Sequence, residues 1–187
     1  MTNTTQTPPE LLAQWVAKKH KGQTKKYTGD PYFMHLEAVA AMAKQVTLMG
    51  CEIGLCHDIL EDTPVTRNEL FEALLEFGYN DMEANYITIR VVELTDVFKA
   101  SAYPGLSRID RKEKEARRMM TISPGAQSVK YCDLIYNMPL VVKYDKEHAG
   151  EYLRKKKLLL EGMVDGDKGL REQAIGIIEE GLAELAG

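Results

Sequence analysis

The sequence has few cysteines, little net charge and no long apolar run. Its 187 residues include three cysteines, an odd number that gives no disulfide framework. The formal net charge is −4, so no overall basic field favours duplex nucleic acid or an anionic membrane. No apolar run approaches the roughly 20 residues that a bilayer span requires, and the polar start MTNTTQTPPE lacks the layout of a signal peptide. These absences predict a cytoplasmic protein that engages neither a membrane nor duplex nucleic acid.

The sequence also lacks the sustained alternation of apolar and polar residues that is typical of β-strands. Apolar residues at helical spacing and helix-start signals instead predict helices that begin near Pro8, Pro31, Thr66, Asn80 and Pro124. Two more helices are expected over 148–164 and 167–186. A chain of 187 residues suits one compact domain. We therefore predict a single all-α domain over 1–187.

Glycine and proline set the expected limits of the remaining helices. Gly50 is predicted to end the second helix. The motif GLCHDILEDT, residues 54–63, is predicted to form one continuous third helix that stops at Thr63-Pro64. Pro139 is predicted to break the buried helix that begins at Ser123-Pro124. Residues 95–107 are the best candidate for a long functional loop.

Four ionisable residues interrupt the apolar character of GLCHDILEDT, namely His57, Asp58, Glu61 and Asp62. Burying unpaired charge is costly unless the charge meets a partner or a metal ion. His35 in PYFMH and Asp133 in VKYCDLIYN also lie in apolar surroundings. Two imidazoles and two carboxylates from three helices can converge on one cation, and mixed nitrogen and oxygen ligands suit Mn²⁺, Fe²⁺ or Zn²⁺. We predict one metal ion per chain, held by His35, His57, Asp58 and Asp133.

The second acidic pair fits the same hypothesis. Glu61 follows His57 by four residues, and Asp62 follows Asp58 by four, so each shares a helix face with a predicted ligand. There the carboxylates are placed to orient or deprotonate a water molecule, or to protonate a leaving group. We predict that Glu61 and Asp62 are catalytic.

Structural readings of these residues stay open. His35 alone is as often a core histidine as a ligand, and Asp133 alone is compatible with a buried, hydrogen-bonded aspartate. Glu61 and Asp62 also fit a polar helix end, although acids there oppose the helix dipole. His20 and His148 have polar neighbours in the sequence and are not expected to be ligands. The three cysteines are expected to be small buried hydrophobic residues.

Several motifs occur in the order found in one family: HKGQTKKYTGDPYFMH, CHDILEDT, FG at 77–78, ELTD at 93–96 and SPGAQSVKYCDLIYNM. On these motifs the chain resembles the HD-domain hydrolases of the RelA/SpoT group, and most of all the stand-alone small alarmone hydrolases, including the metazoan SpoT-like enzyme. The resemblance covers a core of about 10–145, and the C-terminal helices over 146–187 match only loosely. It implies a single-domain HD-type helical bundle.

The resemblance also implies an activity. Such a protein is a Mn²⁺-dependent hydrolase that removes the 3′-pyrophosphate of (p)ppGpp through a metal-activated water, although other divalent ions can substitute. The resemblance implies the same four metal ligands and the same catalytic pair. It adds substrate contacts from five residues: Lys25, Lys26, Lys130, Asn137 and Tyr152. It also allows a functional pairing with an alarmone synthetase or a toxin.

The chain departs from the family where a polyphosphate would need cations. Leu134-Ile135 and Pro139 replace positions that are commonly basic, and Thr24 replaces a common arginine. Fewer cations weaken direct phosphate recognition. Two alternatives therefore stay open. One is a hydrolase of another 2′- or 3′-phosphorylated nucleotide, such as NADPH or a pyrophosphorylated RNA 3′ end. The other is a non-catalytic protein that sequesters a nucleotide or neutralises a toxin.

Overall fold

A computed structural model describes residues 6–187, and the MTNTT with which the polar N-terminal segment begins lies outside them. Residues 6–187 contain ten α-helices. They are α1 (Pro8–Lys19), α2 (Phe33–Ala43), α3 (Gly50–Cys56), α4 (Ile59–Asp62), α5 (Arg67–Glu76), α6 (Asp81–Leu94), α7 (Arg108–Met119), α8 (Pro124–Tyr144), α9 (Lys146–Gly162) and α10 (Lys168–Ala186). The same residues hold one isolated β-bridge, between Thr24 and Pro31. The all-α prediction is confirmed.

The helix starts that carry capping signals are where the sequence predicts them. The Thr66 hydroxyl accepts from the Glu69 amide, and the Glu69 carboxylate accepts from the Thr66 amide, so a capping box opens α5. Asn80 and Glu83 exchange the same two hydrogen bonds before α6. Gly78, at φ 101°, follows the end of α5 in the left-handed region that favours glycine.

Three predicted helix limits are wrong. Gly50 begins α3 and does not end α2, which already ends at Ala43. Glycine is needed there because a Cβ atom would lie 2.1 Å from the Ala43 carbonyl oxygen. The GLCHDILEDT motif is two helices, since the chain leaves α3 at Cys56 and starts the single turn of α4 after Asp58. Pro139 lies inside α8 without ending it. Buried residues on both sides of Pro139, including Met138, Val141 and Val142, offset the hydrogen bond that a proline cannot donate.

The chain forms two compact units, the first ending at Val92 and the second spanning Glu93–Gly187. In the first unit, α2 packs against α3, and α1 packs against α3 and α5. In the second, α8 packs against α9 and α10, and α7 packs against α9. The single-domain boundaries drawn from the sequence stay a prediction.

Among residues 6–187, no helix is both long enough and apolar enough to cross a bilayer.

Candidate metal centre and active site

Three predicted ligands meet in the first unit, where α2 packs against α3. His35 lies in the first turn of α2, and His57 and Asp58 lie between α3 and α4. His57 Nε2 is 3.3 Å from His35 Nε2 and 3.0 Å from Asp58 Oδ2. His35 Nε2 is 3.7 Å from the same Asp58 oxygen. Two buried imidazoles and one carboxylate therefore point their donor atoms at a common position.

The arrangement of these donors fits a divalent transition ion. Donor atoms that sit about 2.1 Å from one ion lie about 3 Å or more from each other, which is the separation seen here. His57 Nδ1 lies 2.8 Å from the Gly54 carbonyl oxygen and must donate to it. Nδ1 is therefore committed to this bond, and Nε2, which faces His35 and Asp58, is the nitrogen that would bind an ion once its own proton is displaced. A backbone carbonyl that fixes the tautomer in this way is usual for metal-binding histidines.

Asp58 is held ionised. Burial acts to raise its pKa, but the charge of His57 and hydrogen bonds from His35, His57 and Tyr32 outweigh burial and hold the pKa well below its ordinary value. The Tyr32 hydroxyl donates to Asp58 Oδ2 at 2.6 Å. An ionised carboxylate beside two imidazoles is the charge state that metal binding needs.

Gly54 lets α3 approach α2 closely enough to form this cluster. A side chain at Gly54 would place its Cβ 2.6 Å from the Ala40 Cα atom and 2.8 Å from the Ala40 nitrogen. Both are backbone atoms, so neither can rotate away. The closeness of the two helices, and with it the meeting of His35 with His57, depends on the missing side chain.

We expect Gly54→Ala to destabilise the protein by about 1–3 kcal/mol, since overpacking forces the backbone to shift. Denaturant unfolding measures the change. Gly176→Ala on α10 is the matched control, because nothing lies within 4 Å of a Cβ at that position. In a helix interior this control should stabilise by about 0.5–1 kcal/mol. Equal stabilities for the two variants would contradict the role given to Gly54.

Glu61 and Asp62 lie on α4, and both backbone amides bond the Asp58 carbonyl oxygen, at 3.1 and 2.8 Å. The four-residue relation of Asp62 to Asp58 is therefore as predicted, whereas the break at His57 removes the helical relation between Glu61 and His57. Burial and then the charge of Asp58 raise the pKa of Asp62, and the weaker effects of Tyr32, His20 and His57 oppose this. A carboxyl group whose pKa is moved toward neutrality suits general acid–base work.

Comparison with known proteins gives a consistent result. No family model matches the chain. The chain is 27% identical over 178 residues to the mouse (Mus musculus) guanosine-3′,5′-bis(diphosphate) 3′-pyrophosphohydrolase MESH1, covering 90% of this chain and 91% of that protein. It is 31% identical over 131 residues to the human (Homo sapiens) protein of the same name, covering 67% of this chain and 65% of that protein. A GTP pyrophosphokinase of Myxococcus xanthus is 35% identical over 106 residues, which are 56% of this chain and 13% of that protein.

One solved structure has a similar fold. That structure is of a metazoan ortholog of SpoT, which is described as hydrolysing ppGpp and acting in starvation responses. The TM-score is 0.76 at 18% sequence identity, with 96% of this chain and 98% of that chain covered. The chain is therefore similar in sequence to the MESH1 pyrophosphohydrolases and similar in fold to the SpoT ortholog. The HD-type helical fold that the motifs imply is confirmed.

The fourth predicted ligand, Asp133, lies on α8 in the second unit. Lys130 Nζ lies 2.7 Å from Asp133 Oδ2, and the Asn137 amide donates to Oδ1 at 2.6 Å. Both carboxylate oxygens are therefore held by residues one turn away on the same helix. Lys130 and Asn137, predicted from the resemblance as substrate contacts, also position Asp133. Whether Asp133 joins the other three ligands stays a prediction.

The other predicted substrate contacts have local partners. Lys25 pairs with Asp30 at 2.9 Å, and Lys26 Nζ lies 4.8 Å from the centre of the Tyr27 ring. In the second unit, Lys156 Nζ lies 5.2 Å from the centre of the Tyr152 ring. Their roles in substrate binding remain predictions.

Sequence reasoning missed one cation that lies near Asp133. Burial, followed by the charge of Lys130, lowers the pKa of Lys156 to about 8, while Asp133 and Asp96 act in the opposite direction. Lys156 follows Lys155 and precedes Lys157, so the sequence shows only a run of charge. The departures at Leu134 and Ile135 are buried in the core and offer no phosphate contact.

The two histidines that are not expected to be ligands differ in their surroundings. His20 is buried, with 2% of its surface accessible. His148 is exposed and paired with Asp145. Cys56 and Cys132 are buried, as expected of small hydrophobic residues, and Cys51 is half-buried.

Proposed function

We propose that the protein is a metal-dependent pyrophosphohydrolase that removes the 3′-pyrophosphate of (p)ppGpp. The observation that carries the proposal is the convergence of His35 Nε2, His57 Nε2 and Asp58 Oδ2, with the histidine tautomer fixed for metal binding. The names of the mouse and human relatives support the choice of substrate. The cytoplasmic location and a pairing with an alarmone synthetase or toxin stay predictions from the sequence.

In the proposed site, His35, His57, Asp58 and Asp133 hold one ion per chain, with Mn²⁺ the expected ion. Mixed nitrogen and carboxylate ligation suits Mn²⁺ among the first-row metals. When bound, such an ion supplies positive charge beside the phosphate and lowers the pKa of a water molecule.

The carboxylates of α4 perform the proton transfers. In the overall reaction, water gives its hydroxyl to the phosphorus atom, the bond from the 3′-oxygen to phosphorus breaks, and the proton ends on the 3′-oxygen. We assign these transfers to Glu61 and Asp62. The raised pKa of Asp62 supports its role as the group that takes up and returns the proton.

A substrate panel tests the proposed function. Purified protein with Mn²⁺ is incubated with ppGpp, pppGpp, NADPH and ATP, and released pyrophosphate and orthophosphate are measured separately. We expect pyrophosphate from ppGpp and pppGpp only, and none after chelation of the metal. Orthophosphate from NADPH with no turnover of ppGpp would replace the proposed substrate. Stoichiometric binding of ppGpp without turnover would indicate a sequestering protein.

Lys130 gives a prediction about the pyrophosphate. Its ammonium group is partly buried beside Asp133, and its charge acts on Lys156, so the second unit gathers cations at this position. Loss of one charge-assisted hydrogen bond to phosphate costs about 1.5–3 kcal/mol. We therefore expect Lys130→Ala to lower kcat/KM for ppGpp by about 10- to 100-fold.

Metal content, measured beside the kinetics, separates a substrate contact from support of Asp133. Retained metal with lowered kcat/KM is the expected result for Lys130→Ala. Lys143→Ala is the matched control, because Lys143 is exposed on the same helix. A wild-type kcat/KM in Lys130→Ala would place the phosphate contacts elsewhere.

A further inference from the structure

The segment that carries the candidate chemistry, residues 58–62, is held at both ends by side chains from the loop between α1 and α2. The Tyr32 hydroxyl donates to Asp58 Oδ2 at 2.6 Å, and the Gln23 amide donates to the Asp62 carbonyl oxygen at 2.7 Å. We propose that Tyr32 and Gln23 are two positioning residues with different tasks: Tyr32 alone fixes a metal ligand, Asp58, whereas Gln23 fixes the backbone of Asp62 for turnover. This inference rests on the proposed function.

Tyr32 contacts His35 through its ring and Asp58 through its hydroxyl, and the hydroxyl also hydrogen-bonds the Asp62 side chain. Its ring meets the His35 ring edge-on, with 5.4 Å between centroids and 61° between planes. Its hydroxyl bonds the carboxylate oxygen that faces His57 Nε2. A carboxylate oxygen can accept this hydrogen bond on one lone pair while another lone pair faces a metal ion. Tyr32 therefore fixes the orientation of Asp58 relative to His35.

His20 in turn holds Tyr32. The two rings are stacked, with 5.5 Å between centroids and 21° between planes. His20 is buried, and its Nδ1 lies 2.7 Å from Gln23 Oε1. The imidazole orients both positioning residues, because it stacks on one and hydrogen-bonds the other.

The backbone of the loop connects the two positioning residues. The Tyr32 amide donates to the Gln23 carbonyl oxygen at 3.0 Å, and the Gln23 amide donates to the His20 carbonyl oxygen at 3.0 Å. The adjacent bridge between Thr24 and Pro31 closes the loop. Gln23 therefore connects the loop to α4, because its backbone is hydrogen-bonded to Tyr32 and its side chain is hydrogen-bonded to α4.

The two tasks predict opposite outcomes for metal affinity and turnover. Tyr32→Phe keeps the ring and both ring contacts but loses the hydroxyl. Removal of a residue that hydrogen-bonds a metal ligand typically costs about 10- to 100-fold in metal affinity, so we expect a Mn²⁺ dissociation constant at least tenfold higher. Gln23→Ala should leave the Mn²⁺ dissociation constant within about twofold of wild type and lower kcat for ppGpp at saturating Mn²⁺ by about tenfold or more.

The experiment measures Mn²⁺ binding by calorimetry, thermal unfolding of each variant, and kcat at saturating Mn²⁺. Tyr86→Phe is the matched control, since Tyr86 lies on α6 with Arg90 packed on its ring. If Tyr32→Phe lacks a cooperative unfolding transition, His20→Leu replaces it in the experiment. This change keeps the hydroxyl of Tyr32 but removes the His20 ring that is stacked on it. For His20→Leu we expect about a two- to tenfold loss of Mn²⁺ affinity, because that is the effect of losing one contact between stacked rings.

The outcomes separate this inference from the proposed function. A wild-type protein that binds no Mn²⁺ would overturn the proposed function itself. A wild-type protein that binds Mn²⁺ and hydrolyses ppGpp, beside a folded Tyr32→Phe with unchanged affinity, would overturn the role of Tyr32 alone. Equal losses of affinity in Gln23→Ala and Tyr32→Phe would reject the separation of tasks.

Discussion

His57→Ala should lose bound metal and hydrolytic activity together. His57 Nε2 is the donor atom nearest to both others in the cluster, at 3.3 Å from His35 Nε2 and 3.0 Å from Asp58 Oδ2. Its removal leaves one imidazole and one carboxylate, which are too few protein ligands in the first unit to hold an ion tightly. We expect less than one tenth of the wild-type metal content, measured by elemental analysis of protein purified with Mn²⁺.

Two further measurements sharpen this prediction. Added Mn²⁺ should raise the melting temperature of the wild-type protein, because a ligand that binds only the folded state stabilises it. The same addition should leave the melting temperature of His57→Ala unchanged. His148→Ala is the control, since His148 is exposed and bonded to Asp145. Normal metal content in His57→Ala would remove His57 from the ligand set.

The sequence was sufficient for most of the helices because their limits depend on local chemistry. The capping box of Thr66 and Glu69 and the paired bonds of Asn80 and Glu83 each involve residues three apart, so both partners are visible in the sequence. The three predicted ligands of the first unit were also visible, because ionisable residues among apolar neighbours are costly without a partner.

The errors arose where tertiary packing decides the structure. Pro139 stays inside α8 because the helix is buried against α9 and α10. Gly50 and Gly54 serve the close approach of α3 to α2, which no local pattern reveals. The links from Gln23 to Asp62 and from Tyr32 to Asp58 span 39 and 26 residues. One local signal was present, since Tyr32 precedes the predicted ligand His35 by about one helical turn.

Glu61→Gln and Asp62→Asn should slow hydrolysis without releasing the metal ion. Both residues lie on α4, with their amides bonded to the Asp58 carbonyl oxygen, and neither belongs to the cluster of donor atoms. Positioned proton transfer contributes about 10²–10⁴-fold to the rate. We expect kcat for ppGpp to fall by that factor in each variant, with metal content unchanged.

The neutral amides keep the size and most hydrogen bonds of the carboxylates, so a fall in kcat reflects lost charge and lost proton transfer more than lost structure. Glu72→Gln on α5 is the matched control, because it neutralises an exposed carboxylate in the same unit. Loss of stoichiometric metal in either variant would make that residue a ligand. Asp62→Asn should show the larger fall, because burial and the charge of Asp58 raise the pKa of Asp62 and so make it the better proton acceptor, and its backbone is held by Gln23. If Asp62→Asn kept wild-type turnover while His57→Ala lost metal and activity as expected, the proton transfer would have to be assigned to Glu61 or to a residue of the second unit.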